Sequence, residues 1–438
     1  MREPSTPPTP QTSRRSFIKK ASAVAAGSTA LGLSLERSAH AAGKKEIKFG
    51  LIGCGGRGSG AAGNAMNGGK DVKLVAMADW FDFKAHDARK RLKGMYKEQV
   101  AVNDDHVFSG FDGYKKVMES DVDAVLIACA PHFQAPYLKA GIDAGKHVFV
   151  EKPHSLDAPE LRTVQQACDD AKKKNLNVVS GLCWRYSPIV RETVKQIRDG
   201  KIGDIVNAQV HYMAAPYRLT ERDPKWSELE WQMRNWYHFY WLAGDQCLQQ
   251  LIHTVDRASL AFGDEKPESA WGVGGRSSVS GAKYGDLFDH QCVVFEYKGG
   301  KQLTGICRNQ IGTWGDESDT IFGTKGRASL KKGRITGENN WRYKGEKKNM
   351  YDVEQAELFG AIRTGKTINN CEYMVNSTMM LIMATYAIWT GQKMTWDQAW
   401  NSKTTVAQPA YNWDMKSPVA PNEKGEYDLP IPGITKIV

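Results

Sequence analysis

Five apolar runs rich in β-branched residues, at 47–53 (IKFGLIG), 72–78 (VKLVAMA), 123–129 (DAVLIAC), 147–152 (HVFVEK) and 177–183 (NVVSGLC), alternate with helix-like stretches such as DFKAHDARKRL and APELRTVQQACDDAKKK. No other feature of the chain limits its fold so strongly. Parallel strands need crossover connections, usually helices, and those helices cover both faces of the sheet. The expected class is therefore α/β, with a doubly wound N-terminal domain. After residue 183 the alternation stops and longer β-rich stretches take over at 205–217, 292–299, 301–309 and 319–333. YKGGKQL, around Gly299 and Gly300, predicts a hairpin turn. A helix containing Leu358 and Ile362 follows, and then a long apolar run ending at Gly391. Asn, Ser and Thr interrupt that run, which predicts a buried helix rather than a membrane span.

The glycines fall where such a fold binds phosphate. Gly53, Gly55 and Gly58 form GxGxxG, with Gly56 and Arg57 between them, directly after the first strand and at the start of the first helix. Bare backbone there lets a pyrophosphate approach the helix N-terminus. Asp79 ends the second strand about 20 residues on, where a carboxylate accepts from ribose hydroxyls. The alternative is a glycine-rich turn needed only for tight packing. Asp79 favours NAD, because it would repel a 2′-phosphate, while Arg57 and Lys84 keep NADP open.

A longer block, CAPHFQAPYLKAGIDAGKHVFVEKPHSLD at 129–157, brings Ala130, Pro131 and His132 to the mouth of the sheet, and Glu151, Lys152 and Pro153 to the same carboxyl edge. Ligands of open α/β sheets bind at that edge. A lysine there can hydrogen-bond a substrate hydroxyl and help remove its proton while hydride leaves the carbon. The segment 231–256, WQMRNWYHFYWLAGDQCLQQLIHTVD, is unusually aromatic. Rings suit the apolar C–H faces of a sugar, while Arg234 and Asn235 suit its hydroxyls, with packing between domains as the alternative.

GLIGCGGRG, the APHFQAPYLKAGIDAGKHVFVEKP block and the later His segment together resemble the Gfo/Idh/MocA family of sugar and cyclitol oxidoreductases, including its exported members. The resemblance covers nearly all of the chain beyond residue 42. It implies a Rossmann domain at 43–165 that binds NAD or NADP, and an α+β substrate and oligomerisation domain at 166–395 with an open, mainly antiparallel sheet. Helices of the second part return to the first, and 396–438 forms a surface tail. Dimers or tetramers joined through the sheets are implied as well. His253 matches the family histidine, but Gln249 stands four residues earlier, where the family carries Asp. Glutamine orients a hydroxyl but takes no proton near neutral pH. Proton transfer is therefore expected of Lys152 and His253, with Gln249 only positioning substrate beside Arg234, Asn235, Trp236 and Tyr237. Asp256 is expected either to support His253 or to cap local structure. Trp184 and Arg185 match a family segment along the nicotinamide side of the cleft. The leading reading is hydride transfer from a sugar-like secondary alcohol. The alternatives are a glycoside hydrolase that oxidises its substrate transiently, against which Lys152 argues, and a non-catalytic sugar-binding relative, which Gln249 keeps open.

Residues 1–42 read as an export signal. Arg14, Arg15, Phe17 and Lys19 resemble the twin-arginine pattern, a modest apolar stretch follows, and Ala39, His40 and Ala41 suit a cleavage site. That segment carries six basic and two acidic side chains, so the formal charge of +10 falls to +6 without it. No basic stripe with interleaved aromatics accompanies the charge, and nucleic acid is not an expected partner. The eight cysteines stand singly, with no zinc spacing, so buried thiols and no structural metal are expected. Export of a folded protein would leave no soluble nicotinamide pool to draw on. The cofactor is therefore expected to be held tightly and regenerated in place.

Overall fold

The computed structural model describes residues 46–281 and 283–437, so the expected export signal lies outside the described residues. Chain order in the first half is β1 (Ile47–Ile52), α1 (Gly56–Asn67), β2 (Val72–Asp79), α2 (Asp82–Tyr96), β3 (Val107–Ser109), α3 (Gly113–Glu119), β4 (Ala124–Ile127), α4 (Gln134–Asp143), β5 (His147–Val150), α5 (Ala158–Lys173) and β6 (Val178–Ser180). These strands form one parallel sheet in the order β3-β2-β1-β4-β5-β6. Its central strands β4 and β5 are buried at every residue, as a sheet covered on both faces requires. Strand order reverses between β1 and β4, which opens a crevice beyond their carboxyl ends. Two differences from the expected outline have simple causes. β3 is a three-residue edge strand without an apolar run, and β6 lies beyond the expected boundary at 165 because the sheet continues past α5.

The second half runs through α6 (Pro188–Arg198), β7 (Ile205–Ala214) and α7 (Glu228–Arg234) to a π turn at Cys247–Leu251 that leads into α8 (Ile252–Ala261). Strands β8 (Ser269–Gly275), β9 (His290–Glu296), β10 (Gln302–Asn309), β11 (Asp316–Gly323), β12 (Gly326–Ser329), β13 (Arg334–Gly337) and β14 (Trp341–Arg342) follow. The last elements are α9 (Met350–Thr364), α10 (Cys371–Thr390), β15 (Met394–Thr395) and α11 (Trp396–Asn401). The nine strands pair in the order β14-β13-β12-β11-β7-β10-β9-β8-β15. Only β7 and β10 run parallel, so the sheet is mixed and mainly antiparallel. β9 and β10 form the expected hairpin, with Gly299 and Gly300 at φ +78° and +83° in its turn. The stretch 319–333, read as one β-rich segment, folds back on itself between Gly323 and Gly326 as β11 and β12.

The long apolar run is α10, closed by Gly391 in the left-handed conformation. It is buried on nearly every side, against β8, α5 and α8. Each fully buried Leu, Ile or Met there is worth about 1.5–3 kcal/mol over exposure, so packing accounts for the apolarity. Among the described residues no helix is long and apolar enough to cross a membrane. α9 docks on the first half: Asn64 and Asn67 donate to Asp352 Oδ1 at 2.7 and 3.1 Å, Arg363 pairs with Asp71 at 2.7 Å, and Phe359 meets Phe49 edge-on at 5.8 Å. From 402 to 437 the chain forms turns but no helix or strand, and Tyr427 is buried. Asp157, the N-cap of α5, also accepts from Thr405 and Val406 at 2.9 Å.

Candidate active site

The crevice at the end of β1 and β4 continues into a cleft of about 430 Å³ whose far wall comes from the second half of the chain. At its first end β1 stops at Gly53, whose φ of +92° only glycine adopts readily; a Cβ there would also fall 2.6 Å from the Ala128 backbone. Beneath the turn Gly58 is buried, and a Cβ on it would lie 1.8 Å from the Gly53 carbonyl. Gly58 thus sets how closely α1 packs on β1. Gly55 and Gly56 differ, because a Cβ on either would meet nothing within 4 Å. They face the cleft. Gly55 is the N-cap of α1, with no side-chain cap and no acidic residue in the first turn, so the leading N–H groups are left for an anion.

Asp79 lines the same end. Its Oδ2 accepts from Cys54 N at 2.8 Å and its Oδ1 from Phe81 N at 3.1 Å. Burial raises its pKa, against which those N–H groups and Lys84 act. Trp80, Lys84, Tyr114 and Tyr137 complete this end, the two tyrosines stacked at 4.0 Å. A narrow glycine turn, an uncapped helix N-terminus and a terminal carboxylate beside flat aromatic walls fit the phosphates, ribose and base of a dinucleotide. Arg57 lies between the two ends, paired with buried Glu151 at 2.7 Å and stacked over Tyr351 of α9 at 4.5 Å.

Lys152 follows β5 and reaches across the cleft, where its Nζ donates to the backbone carbonyl of Gln249 at 2.6 Å. Burial lowers its pKa from the usual lysine value, with Glu151 opposing. The acceptor lies in the π turn before α8, a geometry that recurs at functional sites. The Gln249 side chain holds that turn, donating to the carbonyls of Tyr237 at 3.1 Å and Gly244 at 2.8 Å. His253 opens on the same end of the cleft, with its Nδ1 buried and unpartnered. Burial and then the Lys152 charge drive its pKa well below 6.5, so the ring is neutral. Trp236 and Tyr237 stack at 3.6 Å, with Tyr217 on the other face of Tyr237 at 3.8 Å, and form an aromatic wall beside these groups.

Gly53, Gly55, Gly56, Arg57, Asp79, Ala130, Pro131, Glu151, Lys152, Arg234, Trp236, Tyr237, Gln249 and His253 are therefore brought to one cleft. Five residues expected there lie elsewhere. Gly58 sits under the turn. His132 points away, its Nε2 against the Tyr411 hydroxyl at 2.8 Å and its pKa lowered to about 3 by burial. Trp184 lies beneath the Arg257 guanidinium at 4.3 Å. Arg185 is buried against Asp256 and Asp264 and stacks on Tyr373 at 3.9 Å, so Asp256 serves Arg185 and Ser377 rather than His253. Asn235 spends its amide on Thr220 and Trp231 backbone groups, bracing the bend after α7. Sequence reasoning missed Trp80, Tyr114, Tyr137 and Tyr351. Trp80 could have been read from its place directly after Asp79; Tyr351 is too distant in sequence for any local signal.

Residues 47–180 match the family model described as "Oxidoreductase family, NAD-binding Rossmann fold", and residues 194–402 match its C-terminal alpha/beta domain. The chain belongs to the Gfo/Idh/MocA oxidoreductase family. It is 27% identical to an inositol 2-dehydrogenase of Rhizobium meliloti over 66% of this chain and 76% of the relative. It is 26% identical to a glycosyl hydrolase family 109 protein of Shewanella amazonensis, over 48% and 40% of the two chains. The fold is also that of a scyllo-inositol dehydrogenase from Lactobacillus casei solved with NAD(H) and scyllo-inositol, with a TM-score of 0.62 and 20% identity, covering 81% of this chain and all of that one. This family membership makes the protein an oxidoreductase with an NAD-binding domain, and the first end of the cleft is where that domain's glycine turn lies.

Proposed function

We propose that this oxidoreductase of CH–OH groups transfers hydride between a secondary alcohol of a sugar or cyclitol and a resident NAD, with Lys152 taking the hydroxyl proton. The observation that carries this reading is one continuous cleft joining the glycine turn and Asp79 to Lys152 and His253. When bound, the nicotinamide supplies the hydride acceptor. The chain's own residues do the rest. The Gln249 carbonyl occupies one Lys152 N–H and fixes the direction of the amine, leaving its lone pair for a hydroxyl proton once the lysine is neutral. Burial makes that neutral form easier to reach. Neutral His253 hydrogen-bonds the same hydroxyl without adding charge, and the Trp236–Tyr237 wall takes the apolar face of the ring.

In this reading the N-terminal segment exports the folded enzyme, and the cofactor stays bound and is regenerated by a second substrate. The eight free thiols support it, since they suit folding in a reducing compartment. The open face of the large sheet, where Trp271 and Val273 are 43% and 67% exposed, is the surface through which copies would pair. Mixing the protein as isolated with a panel of sugars and cyclitols tests the reading. Reduced-nicotinamide absorbance should appear without added cofactor, and its absence with every alcohol refutes hydride transfer. The similarity to glycosyl hydrolase family 109 proteins supports a second reading, redox-neutral glycoside cleavage. Aglycone released from a chromogenic glycoside, with no net change in cofactor absorbance, would select it.

A further inference from the structure

Beside the Asp79 end of the cleft, two side chains from distant parts of the sequence, Arg234 and Trp413, meet on Phe81, two residues after Asp79. Arg234, at the end of α7, places its guanidinium over Phe81 at 4.5 Å and Phe83 at 5.4 Å, the next two aromatic residues after Trp80. It is held there by Trp226 on a further face at 4.2 Å and by Glu230, whose Oε1 accepts from its Nε and Nη2 at 2.9 and 2.8 Å. Trp413 of the C-terminal segment packs on Phe81 from another direction at 5.3 Å and on Phe111 at 5.0 Å. That segment is anchored on both sides of the cleft. Tyr411 meets His132 in the first half, and the Val419 carbonyl accepts from Gln232 of α7 at 2.8 Å.

The Arg234 guanidinium, which lines the cleft, is thus engaged by Glu230 and three aromatic rings. Both contacts close on buried Phe81, and each has one solvent-facing member, Phe83 under Arg234 and Trp413 itself, from which it can open. Phe83 is 46% and Trp413 37% exposed. We propose that Arg234 and Trp413 form a clasp on Phe81 that governs how fast the dinucleotide leaves and enters the cleft. The clasp rests on the reading that the cleft holds a nicotinamide dinucleotide. It gives a resident cofactor its physical means of retention, and it explains why a surface segment without secondary structure is tied to both halves of the chain.

Stopped-flow release tests it on the full chain. Protein loaded with NADH is mixed with excess NAD, and loss of bound-nicotinamide fluorescence gives the release rate. Arg234→Ala and Trp413→Ala should each accelerate release about tenfold, and the double variant more than either. Trp413→Phe should restore most of the wild-type rate, whereas a merely structural residue would not show graded rescue of a release rate. Met95→Ala, at an exposed position of α2, should release at the wild-type rate. A double variant within twofold of wild type overturns the clasp. Wild-type release complete within seconds overturns residence of the cofactor but leaves the ratio between variants readable; a wild-type chain that binds no dinucleotide overturns both.

Discussion

Two glycines three positions apart in one turn do different work. Gly58 is fixed by protein contacts, since any side chain would collide with the Gly53 carbonyl, whereas Gly55 has extended backbone and open space around it. Gly55→Ala should therefore leave the thermal unfolding midpoint of the cofactor-stripped protein unchanged while weakening NAD binding at least tenfold by calorimetry. Gly58→Ala should lower the midpoint itself. Equal affinity in Gly55→Ala would mean that no phosphate approaches this turn. Lys152 carries the sharpest expectation. Lys152→Met should lower turnover about 10²–10⁴-fold, the usual contribution of a positioned acid or base, with NAD still bound. For the wild type the sign of the pH dependence follows from the same residue: alcohol oxidation needs neutral lysine, so the rate rises with pH along one limb whose midpoint lies below the ordinary 10.5. Burial and the Lys152 charge hold the His253 pKa well below 6.5, so a limb from it lies on the acid side of that of Lys152. A profile falling with rising pH would contradict Lys152 as the base.

At the scale of elements, α8 carries two neighbouring residues with separate duties. His253 faces the cleft, while Asp256, three residues on, is fully buried against Arg185 and accepts from Ser377 at 2.8 Å. Arg185 keeps Asp264 when Asp256 is removed, but the buried Ser377 hydroxyl loses its acceptor, so Asp256→Ala should cost about 1–3 kcal/mol in urea unfolding. A loss within 1 kcal/mol, on the order of an exposed pair, would show that the pair does not hold the element. The sequence showed the first sheet, the glycine turn and the place of Lys152 at the sheet's carboxyl edge, because strand periodicity and turn chemistry are local properties, whereas His253 was marked by the family resemblance. Trp184, Arg185 and Asn235 were not legible in the same way. Their type suits a ligand, and only the tertiary partners, Arg257, Asp256 and the Thr220 backbone, reveal that each is already used. The Gln249 substitution was visible, but its effect was not: the backbone carbonyl of this residue, rather than its side chain, receives Lys152.

For the whole molecule, the two halves and the C-terminal segment are joined around one cleft, and the eight cysteines take no part in a disulfide. Thiol titration in denaturant should find all eight reactive without reductant, and any shortfall would argue against folding in a reducing compartment. The central claim is that this cleft holds a nicotinamide to which a sugar-like alcohol gives hydride beside Lys152. The most direct measurement supplies the protein as isolated with sugars and cyclitols deuterated at the carbinol carbons, denatures it after a single turnover, and examines the released dinucleotide by mass spectrometry. The account predicts NAD-derived dinucleotide carrying deuterium on the nicotinamide ring, with the label lost in Lys152→Met. Release of no dinucleotide, or of one that never acquires label from any alcohol, would contradict it.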